Sequence, residues 1–268
     1  MKRDYRKRLH HKLLWRKLRV YLLPVLFFFL AGWVAFLQWR EYGGKTGGNS
    51  SAKFEIPQSE ELSRSLCLTE PEEIPAYRGE AYAELCGNRP GFCTYDIEYY
   101  QGEVYSPLDE LGRCGTAVAL LDRGMRPTGE REDIGMIKPS GWAQQKYPGI
   151  IDSEPPYLYN RCHLIAYAMT GQNANECNLI TGTRYLNAES MLYWEKKVLQ
   201  YLDTSENHVL YRVTPYFMGE ELVARGVEME AYSVEDQGRG ICFHVFVYNV
   251  QPGVEIDYAT GESGAEEN

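Results

Sequence analysis

The residues best suited to chemistry lie together at positions 160–195, in the stretch NRCHLIAYAMTGQNANECNLITGTRYLNAESMLYWE. It holds one histidine, two cysteines, several asparagines and a closing glutamate. Beyond the N-terminal tail the chain has three histidines, His163, His208 and His244, and a general base working near neutral pH is most readily drawn from them. His244 sits inside the apolar run ICFHVFVYNV and His208 follows the polar SEN, so both read as structural or solvated. His163 follows an arginine and precedes a segment dense in Asn, Gly and Thr, which makes it the candidate base. A satisfied core histidine is the plainer reading of His163 taken alone.

Two metal sites are conceivable here. A zinc site would use Cys162, His163 and Cys177, but adjacent Cys and His side chains diverge and no second paired motif supplies the remaining ligand. The other uses Asn187 and Glu195. Eight residues of helix rise ~12 Å and rotate to within about 80° of the starting direction, so both side chains face one side without sharing a small ion directly. Direct ligation by Asn187, with Glu195 acting through water, leaves several retained waters and suits Mg²⁺ better than zinc. The plain alternative is Asn187 as a helix N-cap and Glu195 on a solvated face.

The elements that must position these groups follow from periodicity. Residues 187–202 repeat apolar side chains at Met191, Trp194, Val198, Leu199 and Leu202, spacings of three and four that predict an amphipathic helix. HVLYRVTPYF, GVEMEAYSV and ICFHVFVYNV alternate or concentrate β-branched and aromatic residues between Gly-bearing turns, which predicts an antiparallel meander. TAVALLD, from Thr116, reads as a buried strand, and the Gly- and Pro-punctuated stretch after it as ordered loop. The tail GESGAEEN is expected to fray. The fold class is α+β, an antiparallel sheet with a few packed helices.

With these motifs in view, the chain resembles the DNA/RNA non-specific endonucleases of the ββα-metal fold, and among them the membrane-anchored nucleases that serve DNA uptake. The resemblance runs from about Ile74 to Thr260, through YSPLDELGRCGTAVALL, IGMIKPSGW, YNRCHLIAY, NLITGTRYLN and VTPYFMGEELVARGVEMEAYSVED. The family's Asp-Arg-Gly-His signature falls on Asn160-Arg161-Cys162-His163, departing at the first and third positions. The resemblance implies that His163 is the general base, that Asn187 binds Mg²⁺ (Mn²⁺ substituting), and that Glu195 meets the ion through water. It further implies that Asn178 is an active-site asparagine and that Arg161 faces phosphate, with Arg184 and Arg131 as weaker phosphate contacts. The implied reaction is hydrolysis of phosphodiester bonds in DNA, and in RNA as well, leaving 5′-phosphates. A decayed module on the cell surface, binding nucleic acid without turnover, is the alternative.

Charge and hydropathy set the organisation. The first nineteen residues carry nine Lys or Arg and one Asp, and residues 20–39 follow with no Lys, Arg, Asp or Glu, long enough for a bilayer core. The expectation is a basic cytoplasmic tail (1–19), a transmembrane signal anchor (20–39), a Gly- and Ser-rich flexible linker (40–73), an extracellular nuclease domain (74–260) and a short tail (261–268). No protein partner is predicted. After residue 19 there remain 19 basic and 36 acidic side chains, a net charge of −17, which excludes a uniformly basic nucleic-acid surface. A polyanion must be met locally, near Arg131, Lys138, Arg161, Arg184, Lys196 and Lys197. Seven cysteines in an exported domain permit disulfides. Cys86 and Cys93 flank GNRPGF, a turn-like stretch, and form the best local pair, with buried free thiols the equal alternative.

Overall fold

Residues 74–266 are described by the computed structural model. The expected tail, anchor and linker lie outside the described residues, and among those described no helix is long and apolar enough to cross a membrane.

Eight strands build a six-stranded sheet and a separate hairpin. β1 (Tyr82–Glu84), β2 (Glu103–Tyr105) and β3 (Ala117–Leu121) precede the hairpin of β4 (Tyr159–His163) and β5 (Leu179–Thr183). β6 (Val209–Tyr216), β7 (Gly226–Ser233) and β8 (Cys242–Tyr248) follow, and the sheet order is β1-β8-β7-β6-β3-β2 with every neighbour antiparallel. The predicted meander is therefore present as β6-β7-β8, and TAVALLD supplies β3. Helix α1 (Thr94–Tyr99) precedes β2, and the one-turn α2 (Tyr167–Thr170) lies between β4 and β5. The predicted helix is α3 (Met191–Thr204), entered through a π-helical turn at Leu186–Ser190.

The two sheet faces carry different chemistry because strand side chains alternate. One face offers Tyr211, Val213, Val227, Met229, Phe243 and Val245, packed in one cluster with Met191, Trp194, Val198 and Leu202 of α3. Burying each such large side chain stabilises by about 1.5–3 kcal/mol. Cys162 and Ile180 of the hairpin join the same cluster, so the core clamps hairpin and helix onto the sheet.

The opposite face carries a charged row. Arg212, Glu230 and His244 are direct cross-strand partners on β6, β7 and β8, all buried. Arg212 Nε donates to Glu230, Gly91 N–H donates to its other oxygen at 2.7 Å, and His244 Nε2 donates to Glu228. His244 Nδ1 meets the Arg89 carbonyl at 3.1 Å, so both ring nitrogens face acceptors and the ring is an imidazolium. Burial alone would lower the His244 pKa, but the bond to Glu228 and the charges of Glu230 and Glu228 outweigh it and the net shift is upward. Because the folded pKa exceeds the unfolded value of about 6.5, this stabilisation is complete below that pH and is lost as pH rises through the folded pKa. The melting temperature should accordingly fall toward alkaline pH. His244→Ala should flatten that slope and cost about 3–5 kcal/mol, since it takes the imidazolium counter-charge from buried Glu228. Melts across a pH series read both, and an unchanged slope in the variant would refute the assignment.

Two expectations at the periphery need correcting. Cys86 is disulfide-bonded, but not to Cys93, whose thiol is free and whose backbone N–H donates to Asp96 at the start of α1. The turn between them opens into a helix instead of returning as a strand, so no cross-strand pair forms. Nor do residues 261–266 fray: β10 (Ser263–Ala265) pairs antiparallel with β9 (Val254–Ile256), closed by a turn in which Asp257 accepts from Thr260 and Ala259.

Candidate active site

The hairpin, the π-turn and the start of α3 enclose a cleft of about 840 Å³. Its lining includes His163, Arg131, Arg161, Arg184, Asn187 and Glu195. The candidate base, the candidate metal residues and three arginines thus meet in one place, although they come from a loop, a strand, a strand end, a turn and a helix.

His163 closes β4 and is buried. Its Nε2 lies 2.9 Å from the Asn173 carbonyl, which can only accept, so Nε2 carries the proton. Nδ1 therefore holds the lone pair, 3.3 Å from Nη2 of Arg131. Burial, with the Arg131 charge adding to it, pushes the His163 pKa down to about 4, so the ring is neutral and able to accept a proton at pH 7. Arg131 is held by the Asn173 side chain at 3.0 Å and lies 5.2 Å over the Tyr167 ring. Asn173 is the residue sequence reasoning missed. Its carbonyl fixes the tautomer of the base while its side chain aims the arginine, and a main-chain role of this kind leaves no side-chain signal.

Asn187 sits in the π-turn, whose wider i→i+5 bond from Met191 N–H to the Leu186 carbonyl alters the phase assumed for a regular helix. The turn is pinned from outside. Leu186 N–H donates to Thr183 Oγ1 at 3.0 Å, Tyr185 N–H to the Gln251 side chain at 3.1 Å, and buried Asn249 ties Thr181 and Thr183 to Ala224. Glu195 lies eight residues further on, about two helical turns, buried, and burial alone raises its carboxyl pKa to about 7. No cation among the described residues pairs with it. A buried carboxylate without a counter-charge and an amide side chain lining the same cleft offer only oxygen donors, which fits a hard divalent cation. The other acidic cluster, Glu228, Glu230 and His244, does not fit one, because both imidazole nitrogens already face acceptors.

Two assignments change. Asn178 does not reach the cleft: it is fully buried, accepting from Ile165 N–H at 2.8 Å and donating to Ile165 O at 3.0 Å, so it brackets the chain just past His163. Arg161 lines the cleft, yet its Nε and Nη2 donate to the carbonyls of Ile137 and Gly135 and its guanidinium lies 4.4 Å over Trp142. It straps the loop that follows Arg131, and its capacity for phosphate is reduced accordingly. Arg184 lines the cleft with no side-chain hydrogen bond or ion pair among the described residues.

Cys162 points away from the cleft, its thiol 3.5 Å from the Met191 sulfur, and burial raises its pKa well above the usual thiol range. A cysteine fits because its diagonal neighbour is Gly182, where an added Cβ would lie 2.5 Å from the Cys162 Cβ. The thiol is free and packs as a small apolar group, which also removes it from any zinc site with His163. Mild reductant should therefore leave the cleft's chemistry unchanged. A loss of activity on reduction that persists in Cys86→Ser, measured by substrate cleavage, would overturn this.

Residues 93–235 match the DNA/RNA non-specific endonuclease family. The chain belongs to that family. A deoxyribonuclease of Streptococcus dysgalactiae subsp. equisimilis is 34% identical over 110 residues, covering 39% of this chain and 32% of that protein, so the chain spans about a third of this relative's length. NucA from Streptococcus agalactiae, solved without metal, aligns with a TM-score of 0.61 at 27% identity over 73% of this chain and 92% of that one. Its magnesium-bound form aligns at 0.58 with 28% identity, covering 69% and 87% of the two chains. The zinc-bound Sda1 nuclease aligns at 0.57 with 26% identity, covering 70% and 97%. Family membership agrees with the ββα arrangement of β4, β5 and α3 around the cleft.

Proposed function

We propose that this chain is a metal-dependent endonuclease that hydrolyses phosphodiester bonds of DNA, and of RNA, without sequence preference, leaving 5′-phosphates. The observation that carries this reading is His163: a neutral ring with its tautomer fixed by the Asn173 carbonyl and its Nδ1 lone pair facing Arg131, in a cleft shared with Asn187 and Glu195. The magnesium-bound NucA neighbour supports Mg²⁺ as the ion. Residues 20–39, outside the described residues, would tether the domain at the cell surface.

In this mechanism His163 Nδ1 accepts the proton of the attacking water. Arg131, which faces Nδ1 in the free protein, turns onto the incoming phosphate, and both the loss of its charge and the arrival of an anion raise the basicity of the ring. Arg184 holds a neighbouring phosphate. Asn187 would bind the cation directly and Glu195 through a water. A divalent cation held there neutralises charge on the phosphate and stabilises the leaving oxygen. Contacts confined to phosphate and sugar explain indifference to sequence.

The test is plasmid digestion by the purified chain with Mg²⁺, with complete loss in EDTA expected. Absence of cleavage by well-folded protein across several divalent metals would refute the proposal.

A further inference from the structure

The cleft is lined by more than the groups that the hydrolysis uses, and part of that lining is aromatic. Tyr157, Trp142 and Tyr159 line it together with Gln144. Tyr157 lies six residues before His163, a path on the order of 20 Å in near-extended chain, which spans several nucleotides of a strand. Tyr157 is 39% exposed and its hydroxyl makes no hydrogen bond among the described residues. Other aromatic groups nearby have structural duties. Tyr159 is buried and donates to the Gly261 carbonyl, and Trp142 is half-buried beneath Arg161. Tyr157 has no such duty, yet its position is fixed: a bridge pairs it with Lys146, whose ammonium lies 4.9 Å from the ring centroid.

An exposed tyrosine with a cation over one face of its ring, lining a cleft that also holds arginines, leaves the other face for a base and matches one nucleotide, base to the ring and phosphate to a cation. Arg161 and Arg184 line the cleft and Lys146 stands over the Tyr157 ring, positive charges in a domain that is otherwise strongly acidic. The requirement for a free base face is what selects the substrate. In a duplex each base is stacked on its neighbours and offers the protein only its edges. An unpaired base can turn its face onto Tyr157.

Building on the nuclease reading above, we propose that Tyr157, flanked by Lys146, stacks an unpaired nucleobase several nucleotides from the scissile phosphate, so that the cleft prefers single-stranded DNA to duplex. Tyr157 is a specificity-determining residue in this scheme; it takes no part in the chemistry at His163.

The experiment measures binding of the full chain, in mild detergent with EDTA to prevent cleavage, to labelled oligothymidine, to a duplex of equal length and to an abasic strand. Wild type should bind oligothymidine tightest. Tyr157→Ala should weaken that binding by roughly five- to a hundredfold, the range for loss of one stacked base, with a much smaller effect on duplex. Tyr157→Phe should retain the preference, since it keeps the ring. Equal losses for both substrates, no loss for either, or an abasic strand bound as tightly as oligothymidine would overturn the inference. The nuclease reading is tested separately by cleavage with Mg²⁺: if wild type cleaves but Tyr157→Ala leaves the preference intact, only the stacking site is wrong. Failure of wild type to bind or cleave any substrate would remove both.

Discussion

His163→Ala is expected to lose cleavage by about 10²–10⁴, the usual contribution of a positioned general base, while retaining nucleic-acid binding and the response to Mg²⁺. The separation follows from the architecture. His163 ends β4, whereas Asn187 and Glu195 belong to the π-turn and α3, and the turn is pinned by Thr183, Gln251 and Asn249 without help from the imidazole. Removing the ring also frees Arg131 from Nδ1 but leaves its bond to Asn173, so phosphate binding should hold. Added imidazole should restore part of the rate, because the variant opens a space with an acceptor, the Asn173 carbonyl, in place to orient a free ring. Single-turnover cleavage with and without imidazole reads this. A variant with near wild-type activity would show that the base lies elsewhere.

How much of this was legible in the sequence depends on what each residue contributes. β6 to β8 and α3 declare themselves because one face of each is apolar, and the period of that face is a local property of the chain. The β4-β5 hairpin does not, because YNRCH and LITGT belong to no main-sheet ladder: their burial comes from α3 and the apolar face of the sheet, which are tertiary contacts. His163, Asn187 and Glu195 were recognisable from residue type, spacing and resemblance, and the structure gathers all three at one cleft. Asn178 was not assignable in the same way. An asparagine beside an active site can touch substrate or satisfy the backbone, and only the two bonds to Ile165 decide between them. Arg161 and Arg131 illustrate the same limit. Both are arginines near the base, and their weights exchange because Gly135 and Ile137 present carbonyls to one, while the other faces only neutral groups, the amide oxygen of Asn173, the ring of Tyr167 and the base itself.

Asn187→Ala and Glu195→Gln should separate the two halves of the metal site. On the proposed reading Asn187 offers a neutral oxygen from a pinned turn as the direct protein ligand, so its removal should shift the Mg²⁺ needed for half-maximal cleavage upward by more than the Glu195 change. Glu195 is buried and its carboxylate has no other counter-charge among the described residues, so its effect comes through charge and the orientation of bound water. Outer-shell partners of this kind commonly change affinity or activity by about 10- to 100-fold. A further difference appears without substrate. Wild type has to bury an uncompensated carboxylate when metal is absent, and an amide of the same shape carries no such cost. In EDTA, Glu195→Gln should therefore melt no lower than wild type, whereas Mg²⁺ should raise the melting temperature of wild type and much less that of the variant. Cleavage titrated with Mg²⁺ and melts with and without the ion test both statements. An unchanged Mg²⁺ requirement in Asn187→Ala, or an equal Mg²⁺ shift in Glu195→Gln and wild type, would place the ion somewhere other than this cleft wall.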